Sequence, residues 1–411
     1  MALFYASYSA NTISLTAFDA TNSARQLDSV LALSDAATGS LLSLGSSAYL
    51  VGKFTAGPVA DTLGGSTTTF LSLVLSAASL VFLSVSRGRV SLSTGWAVAR
   101  YAQAAAWPGV MIMTKHAFTG NGLGTAVGLI STSSRVGAIL GNLVLGTLLG
   151  MGRSWRFVLR AAAMWSVFIG VLVRIASGSR WSQPISAPAA AAGSDRLAPK
   201  PQLPATAKRI VPFGKFLSVL ARSPRIWLIY GSNFFVTPVF QFASLLPIYL
   251  VQSLGLTQAA ASQAAAIFPL ASALSVLVST SFWAKLSESA RLVFCAATMS
   301  AAVVGMSLIG RVTASGPMLN AALLMIMAGT SPTFYLASGE YLNIVGGTRS
   351  GTLTAWLDLP GYGVPPSRFS RRPAMPAMPR LPYVPRALPV ICLSFQDCLR
   401  YHGLFGRYLL M

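Results

Sequence analysis

The chain is a succession of apolar stretches, each about as long as a bilayer is thick. A helix needs about 20 predominantly apolar residues to cross the hydrocarbon. Such stretches fall near residues 2–17, 38–60, 67–86, 94–115, 123–150 and 156–177, then 223–251, 258–283, 291–311 and 317–338, with the start of another at 351–363. Inside lipid every backbone polar group must be satisfied within its own segment, so stretches of this length are helices. The pattern predicts an all-α membrane protein with about 10–11 recognisable transmembrane helices. The first stretch is short and begins at Met1, as a truncated span would. It has neither the basic n-region nor the clear cleavage site of a signal peptide.

Composition agrees. Of the 411 residues 54% are hydrophobic and 9% charged, against roughly a quarter charged in a soluble domain. Two histidines and nine acidic residues leave little material for a hydrolytic or metal site, and no cofactor is implied. Cys295, Cys392 and Cys398 have neither disulfide-framework nor zinc spacing. The formal charge of +21 does not indicate nucleic acid, because the basic residues lie mostly in loops between apolar stretches, without interleaved aromatics.

Residues 178–215 interrupt the pattern with a Pro/Ala/Ser-rich linker. Around it Arg174, Arg180, Arg196, Lys200, Lys208, Arg209, Lys215, Arg222 and Arg225 face a single acid, Asp195. That bias puts the linker in the cytoplasm, and six preceding helices put the N-terminus there too. Arg87, Arg89, Arg153 and Arg156 then fall in short outer loops, against the rule. The organisation is a six-helix half over 1–177, the linker, an incomplete second half over 216–363 and a Pro/Arg-rich tail over 364–411. Two helical halves joined by a linker are the layout of an alternating-access carrier. The tail has eight prolines from Pro365 to Pro389 and seven arginines from Arg368 to Arg407, which exclude a membrane helix over most of it.

Two segments carry motifs. Residues 57–65, "GPVADTLGG", follow the pattern Gly-x-x-x-Asp-x-x-Gly-Gly, with Gly57 allowing close helix approach and Asp61 expected near the N-terminus of the next helix. Residues 100–109, "RYAQAAAWPG", join Arg100 and Gln103 to Trp107 and Pro108. The first resembles the loop motif of the major facilitator superfamily, with Gly64 at its penultimate glycine. The second resembles that superfamily's fourth-helix motif, with Ala104 where glycine is usual. The resemblance covers roughly residues 1–363 and implies a two-half bundle of which the last one or two helices are missing. Within the superfamily, "YLVGKFTAGPVAD" (49–61), "QAAAWPG" and "LLPIYL" (245–250) look closest to the organophosphate:phosphate antiporters, which include glycerol-3-phosphate and hexose-phosphate carriers.

Lys53, Arg100 and Arg135 are the cations within first-half spans, and an ionisable residue there is a functional candidate because burying it costs about 2.5–3.5 kcal/mol or more. Lys53 either faces a central cavity, where the resemblance places substrate, or snorkels to the surface. Asp19, Asp28, Asp35, Asp61, Asp195, Glu288 and Asp397 read as loop or end positions, Glu340 lies just past the tenth span, and only Asp358 could lie within a helix. Three cations without an acidic partner predict an anionic ligand, and the lack of a bundle carboxylate favours antiport over proton symport. The resembled antiporters clamp phosphate with two arginines. Here Asn11 or Thr12 and Val239 or Phe240 stand in those places, with Gln241 the nearest polar group, and Ser134 stands for a family histidine. The substrate is then another anion, or a neutral solute held by Tyr5, Tyr8, Asn11, Gln103, Asn233 and Gln241. His116 reads as interfacial.

The expected function is a monomeric secondary transporter of small organic anions in the lipid bilayer, by phosphate-linked antiport. The alternative is a transport-inactive or incomplete carrier acting as a binding or regulatory subunit. No nucleophile–base or metal constellation supports an enzyme.

Overall fold

The computed structural model describes residues 1–21, 25, 31, 33–118, 121–177, 212–283, 285–309, 316–345, 349–357 and 359–362. The linker, Asp358 as a candidate intramembrane carboxylate and the tail from 363 onward lie outside them, as do the Gln241, Glu340 and Pro238 side chains. The first half holds α1 (Ala2–Ala20), α2 (Asp35–Leu63), α3 (Gly65–Val85), α4 (Arg89–Gln103), α5 (Ala106–Ala117), α6 (Asn121–Ser131), α7 (Ser133–Leu140), a π-turn (Gly141–Leu145), α8 (Gly146–Gly150) and α9 (Trp155–Ser177). The second holds α10 (Phe213–Arg222), α11 (Pro224–Leu254), α12 (Gln258–Ala265), α13 (Ile267–Trp283), α14 (Glu288–Ile309), α15 (Gly316–Val345), α16 (Ser350–Leu357) and α17 (Leu359–Tyr362).

Local chemistry accounts for the starts, stops and breaks. Ser34 caps α2, its hydroxyl accepting the Ala37 N–H at 3.2 Å. Gly64 ends α2 at φ +80°, where a side chain would be strained, and the chain reverses directly into α3. The α4–α5 and α12–α13 spans both break one turn before a proline, Pro108 and Pro269, each the third residue of the new helix. A proline is tolerated there because the first-turn N–H has no intrahelical acceptor. The fifth span, α6 to α8, breaks at Thr132 and widens into the π-turn.

Among the described residues six spans are long and apolar enough to cross a membrane: 65–85, 126–150, 155–177, 258–283, 289–308 and 317–336. The spans built on α1, α2, α4–α5 and α11 fall short because they bury polar groups. Ser7, Ser9, Asn11, Ser14, Thr16 and Asp19 are buried on α1, Lys53 on α2, Arg100 and Gln103 on α4, and Ser232, Asn233 and Thr237 on α11. Helices that are polar on a buried face surround a polar interior.

Lipid offers no hydrophobic drive for helix association, so small residues that permit close contact carry much of the packing. A Cβ on Gly137 of α7 would lie 2.5 Å from the Ser9 carbonyl oxygen of α1, and one on Gly305 of α14 would lie 2.8 Å from the Ala322 carbonyl oxygen of α15. In the first half α3 packs against α4, α5 and α9, and α1 against α7 and α9. In the second half α15 packs against α13 and α14.

The apolar stretches and the helices coincide, and the structure corrects the placement of one acid. α15 runs to Val345, so Glu340 lies inside it and not past its end. Asp19 is the penultimate residue of α1, one of the end positions the sequence allowed, and it is buried there because α1 continues beyond residue 17.

Candidate substrate site

Lys53 is ten residues from the end of α2, about 15 Å at 1.5 Å per residue. That is half the depth of a hydrocarbon core about 30 Å thick. The residue is 1% exposed, so its stem does not snorkel to the surface. The amine lies 5.4 Å from the centre of the Tyr49 ring, one turn earlier on the same helix. Tyr49 in turn meets the Tyr362 ring of α17 at 4.6 Å, across the junction of the halves. Tyr8 of α1 lies in the field of Lys53 and Arg135 and close to Tyr49 and Tyr362, and its ring packs on Trp107 at 4.8 Å. A buried amine beside Tyr49 and in the field of Tyr8, with Tyr362 of the second half on the far side of Tyr49, can hold an anionic group and offer ring faces to the rest of a ligand.

From Lys53 a ladder of cations and rings runs along the first half. The Arg100 guanidinium lies over Tyr49 at 4.3 Å and Trp96 at 5.6 Å. Trp96 stacks on Phe18 at 3.5 Å, and Arg25 lies over the other face of Phe18 at 3.5 Å. Each rung is a cation–π or stacking contact in a dry interior, where such contacts are strongest. Arg100 also donates to the Gln103 Oε1 at 3.0 Å, while the Gln103 Nε2 is buried without a hydrogen bond.

Asp19 sits beside this ladder, in the field of Arg100 and Arg25. The expectation that the first-half cations have no acidic partner in the bundle is therefore corrected. One Asp19 oxygen accepts the Ser244 hydroxyl of α11 at 2.7 Å, tying the halves together, and the other is buried without a hydrogen bond.

Arg135 has a different setting. Its guanidinium donates to the Ser272 hydroxyl of α13 at 3.2 Å, to the Ser131 carbonyl and to the Ser134 hydroxyl. It also stacks on the Tyr335 ring of α15 at 3.6 Å, and Ser331 closes the network by donating to Ser272 at 2.7 Å. Arg135 thus joins α7 to two second-half helices. Asn11 is buried on α1 with its Oδ1 unbonded.

The loop motif acts across the halves. Asp61 accepts three hydrogen bonds at the N-terminus of α16: from the Gly351 N–H at 2.9 Å, the Thr352 N–H at 3.1 Å and the Thr352 hydroxyl at 2.6 Å. The sequence placed Asp61 near the N-terminus of the next helix, α3, which starts four residues on, and its hydrogen bonds go to α16 of the other half. A carboxylate at a helix N-terminus meets unpaired N–H groups and the positive end of the dipole. No basic residue after Asp61 is needed for such a latch. Gly57 makes it fit, since a Cβ there would lie 2.6 Å from the Thr352 Cα. Trp356 then bridges α2 and α10, stacking on Phe54 at 5.1 Å and meeting Phe216 at 6.4 Å. Among the described residues no group of His, Cys, Asp or Glu is arranged to hold a metal.

The family model of the Major Facilitator Superfamily matches residues 2–359. The chain belongs to that superfamily. It is an integral, multi-pass membrane protein of the transporter type, not an enzyme. Among solved structures it is similar to a bacterial homolog of the human lysosomal transporter Spinster, in an inward-facing and unoccupied conformation. The TM-score is 0.62 at 14% identity, with 97% of this chain and 91% of that chain covered. At that identity the likeness concerns the fold. No curated protein matches the chain.

The sequence singled out Lys53, Arg100, Gln103, Trp107 and Asp61, and they occupy the interior and the junction of the halves. Pro108 and Gly64 set the break in the fourth span and the α2–α3 reversal. Asp19, Arg25, Trp96 and Tyr362 were missed as site residues. For Asp19 the available signal was its position two residues past an apolar stretch, within reach of one more helical turn.

Proposed function

We propose that this chain is a secondary transporter of small organic anions that works by alternating access around Lys53. The carrying observation is the Lys53 amine, buried at mid-depth beside Tyr49, whose ring meets Tyr362 of the second half. A ligand bridging α1, α2 and α17 contacts both rocking bodies at once, which is what couples its binding to their movement. The arginine ladder supports the same reading by making the approach electropositive. Phosphate-linked exchange is the form of the reading tested first. It rests on the likeness of residues 49–61, 103–109 and 245–250 to the organophosphate antiporters.

Asp19 favours a second form, in which a proton accompanies the anion. A buried carboxylate beside two arginines, with one oxygen unbonded, is the kind of group that can load and release a proton as the halves part. The two forms separate in proteoliposomes. Labelled phosphate entering only phosphate-loaded vesicles supports exchange. Entry into empty vesicles that needs an inward proton gradient, and loses that need in Asp19→Asn, supports proton coupling. Uptake in neither case, from protein shown to be folded and inserted, refutes phosphate as the anion.

A further inference from the structure

The helix α10 precedes the second-half spans and does not itself span. Its ten residues make it about 15 Å long, half the thickness of the hydrocarbon. Its side chains sort by angle. Phe216 and Leu220, one turn apart, are buried in a cluster with Ile226 of α11 and Leu353, Trp356 and Leu357 of α16. At roughly 100° per residue, Leu217 and Val219 stand about 80° to either side of that docked line. They are 46% and 50% exposed. Gly214, Lys215, Ser218 and Arg222 take the opposite face, and all four are exposed. Docking on the protein needs only the central line, so the apolar shoulders have another occupant.

Three observations say what covers the shoulders. The first is continuity with the lipid-facing surface. Trp356, which Phe216 meets at 6.4 Å, stacks on Phe54, an exposed ring of the spanning helix α2. The second is Trp227, in the first turn of α11. Its indole N–H donates to the Ala221 carbonyl in the last turn of α10 at 2.8 Å, while the residue is 59% exposed. A tryptophan with its polar edge bonded and its apolar body uncovered suits the headgroup boundary. The third is depth. Leu353 and Trp356 lie two and five residues past Gly351, so α10 docks about 3–8 Å inward of the Asp61 latch. Surface helices bury their apolar face to about 5–10 Å. A protein partner would have to cover two strips on opposite sides of one docked helix, whereas acyl chains fill both.

We infer that α10 is a membrane-surface helix. The leaflet at the Asp61 end takes Leu217 and Val219 among its acyl chains and leaves Lys215, Ser218 and Arg222 at the level of headgroups and water. The consequence reaches the latch. α16 is the helix whose N-terminus Asp61 holds, and α10 rests on it at Trp356, so the leaflet grips the second-half side of the closing joint. The inference does not depend on which solute Lys53 meets.

The test places a nitroxide on Leu217→Cys, Ser218→Cys or Val219→Cys in the full chain, its three native cysteines changed to serine, in phosphatidylcholine–phosphatidylglycerol vesicles. Oxygen concentrates in acyl chains and a nickel chelate in water, so the ratio of their collision rates with the label reads its surroundings. That ratio is expected to be several-fold higher at 217 and 219 than at 218. A ratio at either shoulder as low as at 218 would mean water there and would overturn the inference. Protection from both reagents would also overturn it, since protein, from this chain or a second copy, would then cover the shoulders. Should a labelled chain fail to insert, the native chain is exposed to a photoactivated diazirine dissolved in the lipid and mapped by mass spectrometry. Modification at Leu217 and Val219 but not Ser218 supports the inference, and unmodified Leu217 and Val219 overturn it.

Discussion

Replacing Asp61 by asparagine should loosen one end of the bundle by a predictable amount. The native carboxylate takes three hydrogen bonds from Gly351 and Thr352, two of them backbone N–H groups at the start of α16. Bonds to a charged partner contribute about 1.5–3 kcal/mol each, and the helix dipole adds about 0.3–1 kcal/mol. An asparagine keeps one acceptor oxygen and no charge. It should therefore lose roughly 2–3 kcal/mol, and only in states where α2 and α16 touch. A ligand-free equilibrium between closed and open forms of this end then shifts roughly 30- to 140-fold toward the open one. Spin labels at Thr62 and Arg222, both exposed and near this joint, report the separation by pulsed dipolar spectroscopy in a chain with its three cysteines changed to serine. The native chain should show mostly the short distance and Asp61→Asn a dominant or much enlarged long one. Identical distributions would show that the three bonds do not hold the closed end.

Other substitutions test neighbouring parts of the account. Gly57→Val places a side chain where a Cβ already lies 2.6 Å from the Thr352 Cα, so it should force α2 from α16 and reproduce the Asp61→Asn distances without removing a charge. Arg135→Gln should lower the thermal midpoint by several degrees, about 2–4 kcal/mol, by emptying the Ser272 and Tyr335 contacts, whereas Arg135→Lys should recover only part of it. Trp96→Ala removes the ring between Phe18 and Arg100 and should cost about 3–5 kcal/mol, read as lower yield and midpoint, with transport lost in proportion to folded protein.

The apolar stretches were legible because a bilayer imposes one length on every span, and α9 and the α12–α13 span begin and end close to the apolar limits for that reason. Their internal breaks were less so. The two prolines that follow them were visible, yet the π-turn at Gly141–Leu145 has no composition of its own. Lys53 was legible as a functional candidate because an amine inside an apolar run demands a reason. Asp19 was not, because hydropathy ended the first span before it, and only the fold shows that α1 carries it into contact with Ser244 from a segment more than 200 residues away. The partner of Asp61 was beyond reach for the same cause: its pairing with α16 is a contact between halves, and no local spacing encodes it.

The central claim is that Lys53 holds a transported anion, and labelled phosphate uptake into phosphate-loaded proteoliposomes tests it most directly, comparing the native chain with Lys53→Ala at equal amounts of inserted protein. The account predicts uptake by the native chain and a loss of at least tenfold in Lys53→Ala, with the spin-label distances of the variant unchanged. Uptake that survives Lys53→Ala undiminished would contradict it.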